Sequence, residues 1–138
     1  MRVSHLDDFP GTAEQCVPEW VGDFDRRSLH ALAAVKQLHA AAPFDLVQYP
    51  EEGALGYRLA QANRTGSGTT GAFLVARLRG PGAWRRTEEA RWQIAVGEPV
   101  REFPEQESFE LADGHTSLSR YLIDGARKLG WEIPGEVA

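Results

Sequence analysis

Cysteine is nearly missing from this chain: Cys16 is the one thiol in 138 residues. A single cysteine excludes an internal disulfide and cannot by itself build a structural zinc site. Its plain reading is a small residue in the N-terminal segment. Lysine is scarce too, two against thirteen arginines, and with abundant alanine this is the bias of a GC-rich, bacterial genome. No apolar run approaches the ~20 residues that span a bilayer. The opening Met1-Arg2-Val3-Ser4-His5-Leu6-Asp7-Asp8 has no apolar signal core. A cytoplasmic protein without a membrane partner is therefore the expectation. Internal repeats and low-complexity stretches are lacking as well.

What is present is ordinary for a globular protein: 42% hydrophobic and 25% charged residues, in a length suited to one domain. The charge is unevenly spread. Formal net charge runs −5 over residues 1–57, +5 over 58–101 and −5 over 102–138. An arginine-bearing middle between acidic ends can be a recognition surface or an internally neutralised fold.

Residues 1–25 mix Pro10, Gly11, Pro18 and Gly22 with acids and show no periodicity, which reads as an extended arm. Its Phe9, Val17, Trp20, Val21 and Phe24 imply that it lies on the body of the domain. Asp25 can cap a helix over 26–41, where Leu29, Leu32, Ala33, Val35 and Leu38 recur at three-to-four spacing and Pro43 enforces the stop. From Phe44 the period shifts to two. Phe44–Tyr49 and Ala54–Ala62 read as strands joined by a Pro50–Gly53 turn, with Leu55, Tyr57 and Leu59 on one face. Ala72–Arg79 and Ala90–Val96 read as two further strands, separated by a protruding 80–89 loop. Residues 97–115, rich in proline and acids, read as irregular with a possible edge strand at 108–111. A last helix over 117–129 opens on a Thr116 or Ser117 cap and closes on Gly130, with Trp131 packing back. The expected fold is a single α+β domain: arm, helix, a four- or five-stranded mostly antiparallel sheet over 44–111, and a C-terminal helix, both helices on one sheet face.

The chemistry-bearing candidates have plain explanations. Gly66-Ser67-Gly68-Thr69-Thr70-Gly71 matches the GxGxxG string, but that fingerprint requires a strand before and a helix after the glycines. Here a strand follows, so a flexible hairpin loop is expected. Asp113-Gly114-His115-Thr116-Ser117 gathers groups that could make a nucleophile and base, yet the same residues suit a turn into a helix. The pairs Asp7-Asp8, Glu51-Glu52 and Glu88-Glu89 sit in expected loops as solvated charge. His30 and His39 are nine positions apart, too far along one helix to share a metal. No cofactor and no metal is called for, and an enzyme is not the expectation.

The arginines carry the functional expectation. Strand alternation would place Arg58, Arg77, Arg79 and Arg91 on one sheet face with Phe73 and Val75, while Trp84, Arg85 and Arg86 would stand on the protruding loop. Arginine's planar fork suits carboxylates and phosphates alike. The leading expectation is a small non-catalytic cytoplasmic protein that binds another protein, as an inhibitor, immunity-type factor, chaperone or adaptor. One alternative is a nucleic-acid-binding domain using the arginine face, against which the pI of 5.4 argues. Another is a small enzyme or ligand-binding domain with a cavity between sheet and helices, where His115, Tyr57 or Tyr121 would act.

Overall fold

A computed structural model describes residues 22–67, 71–89 and 97–133. The elements in chain order are α1 (Asp23–Ala41), β1 (Leu46–Pro50), a short 3₁₀ turn (Glu52–Ala54), α2 (Tyr57–Thr65), β2 (Phe73–Leu78), α3 (Gly82–Glu88), α4 (Gly97–Glu110), β3 (Gly114–Ser117) and α5 (Arg120–Lys128). The expected arm, residues 1–21, and the expected strand Ala90–Val96 with Arg91 lie outside the described residues.

Several expectations hold. Helix α1 ends where expected, with Ala42 before Pro43 extended, as the proline ring demands, although it starts at Asp23 from a Gly22 cap, three residues before the expected start at Arg26. Helix α5 ends as anticipated: Gly130 takes φ +85°, its N–H bonds Arg127 O at 2.9 Å, and Trp131 N–H bonds Ala126 O at 3.1 Å. Trp131 is buried against the core. The helix begins later than expected, with Ser119 as the cap, its Oγ accepting Leu122 N–H at 3.4 Å.

The sheet differs from the antiparallel meander. Among the described residues it has three strands in the order β1-β2-β3, all parallel, with Leu46 opposite Phe73 and Ala76 opposite His115. The cause is the Ala54–Ala62 segment, which is not a strand but a turn followed by α2. Its apolar residues fit both periods, and the helical set Leu59, Ala60 and Ala62 is the one buried. Because Gly56 offers no capping side chain, Ser28 of α1 supplies one: its buried Oγ accepts Arg58 N–H at 2.8 Å. A helix between β1 and β2 makes a crossover, and a crossover joins parallel strands. Likewise the 80–89 loop contains α3, and 97–111 is mostly α4 rather than irregular chain with an edge strand. Helix α4 runs through Pro104 and buries Glu105, Ser108 and Phe109 together with Ala112 just beyond it.

Alternation along β2 is as expected. Leu74, Ala76 and Leu78 are buried; with Tyr49 they meet Leu59 and Ala60 of α2, Phe109 of α4, and Leu122 and Ala126 of α5. Tyr49 lies so close over Gly56 that a Cβ there would fall 2.1 Å from its ring. The Tyr49 hydroxyl donates to Ser108 O at 2.7 Å, and burial pushes its pKa up. The strands step across the sheet in one direction. Crossovers between parallel strands are right-handed almost without exception, so those that step in one direction lay their helices on a single face. The opposite face has no covering element among the described residues.

Candidate functional site

The expected arginine array is not assembled. Arg58 lies on α2, where both oxygens of Asp25 take its guanidinium at 2.5 and 2.6 Å. The side chain of Asp25 thus pairs with Arg58 instead of capping α1, and that bond raises the Arg58 pKa. Arg77 and Arg79 are exposed as alternation requires, Arg77 on the uncovered face and Arg79 just past the end of β2. The expected protrusion is stitched to the body. Trp84 is partly buried, its indole so close over Gly125 that a Cβ there would lie 2.3 Å from Nε1, and its ring meets Tyr121 edge-on at 5.4 Å. Arg85 pairs with Glu52 at 3.0 Å, and Arg86 pairs with Glu102.

The other candidates resolve as structural parts. His115 sits in β3, buried, with its ring 4.6 Å from Phe109 and Nε2 at 2.8 Å from Phe109 O. A carbonyl can only accept, so Nε2 carries the proton. The expected turn into a helix is instead a strand, since Gly114–Ser117 form β3. Gly66 closes α2 in the left-handed conformation at φ +68°, so the glycine string joins a helix to a strand rather than closing a hairpin. That is the reverse of the order a dinucleotide fingerprint needs. No group of His, Cys, Asp and Glu among the described residues could hold a metal ion. No helix among them is long and apolar enough to cross a membrane.

Two carboxylates that sequence reasoning set among solvated loops or passed over turn out to be fully buried. Glu51, directly after β1, accepts the Arg79 N–H at 2.9 and 3.0 Å from its two oxygens and the Gly80 N–H at 2.8 Å. Burial raises its pKa, opposed by these backbone donors. Glu105 of α4 accepts Gly53 N–H at 2.9 Å, Gly82 N–H at 3.0 Å and Arg101 Nε at 2.7 Å. Together they clamp the turn after β1 to the turn after β2. Amide donors engage both oxygens of each carboxylate, which suits them to positioning rather than to proton transfer. The signal for Glu105 was present in the sequence, since Glu105, Ser108, Phe109 and Ala112 follow a helical spacing of three, four and seven. For Glu51, adjacency to a strand end was the only hint.

Two features remain as candidate sites. One is the uncovered sheet face, with Leu46 56% and Phe73 51% exposed, partly buried Val75, exposed Gln48 and Arg77, and a weak bond of 3.4 Å from Gln48 Nε2 to Thr116 Oγ1. Phe73 reaches across β3, and a Cβ at Gly114 would lie 2.8 Å from its ring. The other is a cleft of about 330 Å³ beside the clamped turns, lined by Phe24, Arg27, Glu52, Leu55, Arg79 and Arg101 among others. Compared with known proteins, the chain matches no protein family, no curated protein and no solved structure.

Proposed function

We propose that the protein is a non-catalytic, cytoplasmic binding domain whose partner is another protein, held on the uncovered face of the parallel sheet. The observation that carries this reading is the exposure of Leu46 and Phe73 on one face of a parallel sheet. Parallel sheets are covered on both faces almost without exception, and here, among the described residues, the helices lie on one. The partner that fits presents an apolar surface to Leu46, Phe73 and Val75 and an acidic group to Arg77. An inhibitor, immunity-type factor, chaperone or adaptor would each use such a face. This replaces the Trp84 loop as the place to look, because Trp84, Arg85 and Arg86 already have partners within the chain.

The test substitutes Phe73→Glu and measures two things. The protein captured from the native host by the wild-type chain is identified, purified and titrated against both forms, and both forms are melted. The reading expects direct binding that Phe73→Glu abolishes, with the melting temperature unchanged. A variant that binds equally well would overturn it. So would a lowered melting temperature, which would mean that the chain's own residues cover the face, or a doubled solution mass for wild type alone.

A further inference from the structure

We propose that the cleft at the carboxyl ends of β1 and β2 binds a small phosphate monoester with an apolar body, its phosphoryl group held by Arg27 and Arg79. The cleft, about 330 Å³, falls at the small end of ligand pockets, roughly 300 to 1,000 Å³. Three guanidiniums line it from three separate places: Arg27 on α1, Arg79 after β2 and Arg101 on α4. Several other arginines of the described chain are neutralised by an acid. Arg58, Arg85, Arg86, Arg101 and Arg127 each have an acid partner; what sets Arg27 and Arg79 apart from the remaining arginines is that they share one concavity. Arg27 and Arg79 have no carboxylate partner among the described residues. The acid on the cleft wall, Glu52, has its charge directed to Arg85. A surplus of positive charge therefore faces a concave space in a protein whose net charge is −5.

The frame around that charge is rigid. The backbone of Arg79 is fixed by Glu51, and Gly53 is fixed by Glu105, which also holds Arg101. Arg101 additionally lies over the Phe24 ring, 5.1 Å from its centroid. Phe24, Pro50 and Leu55 give the wall an apolar side. The carboxyl ends of parallel strands are where such loops converge on ligands. A second concavity, lined by Arg58 and Arg64, offers less positive charge, because Asp25 neutralises Arg58 and only Arg64, whose Nε donates to Leu111 O, keeps its charge unpaired by an acid among the described residues. A phosphoryl dianion matches two unpaired forks better than a single carboxylate does, since it offers three oxygens and twice the charge.

The experiment titrates the full chain by calorimetry with phenyl phosphate, inorganic phosphate and benzoate, then repeats it with Arg27→Gln, Arg79→Gln and the distant Arg127→Gln. Phenyl phosphate should bind most tightly. Arg27→Gln and Arg79→Gln should each weaken it by roughly 10- to 100-fold, the effect of one charge-assisted contact. Arg127→Gln should leave binding unchanged, and melting temperatures of the three variants should match wild type. Absence of binding, equal weakening by Arg127→Gln, or indifference to both cleft substitutions would overturn the site. Tighter binding of benzoate would overturn the phosphate assignment, and inorganic phosphate binding as tightly as phenyl phosphate would overturn the apolar wall's role.

Discussion

The two faces of the sheet come from the same three strands and have opposite fates. On one, Leu74, Ala76 and Leu78 are at most 1% exposed beneath α2, α4 and α5; on the other, Phe73 keeps 51% of its surface open although it neighbours Leu74 in the chain. The difference does not lie in hydrophobicity, since both faces carry large apolar side chains. It follows from topology: crossovers that step in one direction deliver the helices they contain, α2 to α4, to one side. Burial is thereby concentrated on the covered face, and on the other Leu46 and Phe73 stay exposed.

Substituting one phenylalanine on each face gives the sharpest contrast. Phe109→Ala, in the covered core, should cost about 3–5 kcal/mol through lost burial and the cavity left behind. Phe73→Ala should stay within about 0.5 kcal/mol, as exposed positions do. Denaturant unfolding of both variants checks the pair, and comparable losses would break the comparison.

Next in size is the clamp at the strand ends. Glu105→Gln removes the charge that holds Arg101 and weakens the acceptors for Gly53 and Gly82 N–H, and should cost about 3 kcal/mol, the scale for breaking a buried ion pair. The same unfolding measurement tests it. A neutral result would mean that the turns hold without Glu105.

The smallest effect is a pH dependence. The folded-state pKa of Glu51 is raised by burial, so between the ordinary glutamate value and that raised value the folded protein binds more protons than the unfolded chain. Its contribution to stability is therefore greatest at low pH and declines as pH rises through that interval. Subtracting the stability profile of Glu51→Gln from that of wild type, from pH 4 to neutral, should expose a falling difference. A flat or rising difference would mean that the backbone donors outweigh desolvation.

Reading the chain locally found α1, β1, β2 and the Gly130–Trp131 closure of α5. It failed where two periods coincide. Leu55, Tyr57 and Leu59 alternate as a strand would, while Leu55, Leu59 and Ala62 repeat as a helix would; Gly66, taking the left-handed conformation after Thr65, was the terminator that favoured the helix. Pro104 concealed α4 in the same way, because an interior proline normally argues against a helix. The site was less legible than the fold. That an acidic end could neutralise Arg58 was legible, but not that the partner is Asp25, 33 residues away, and Glu51 seemed solvated because nothing in Glu51-Glu52 distinguishes the buried acid from its half-buried neighbour.

By itself the sequence determined which side chains of β2 turn inward, where the first helix must stop and how the last one closes, since each depends on residues within a few positions of one another. Strand direction, the single-sided helix layer, the pairing of Arg58 and the burial of two carboxylates were decided only in the tertiary structure. They rest on contacts between segments far apart in the chain, and local periodicity does not record those.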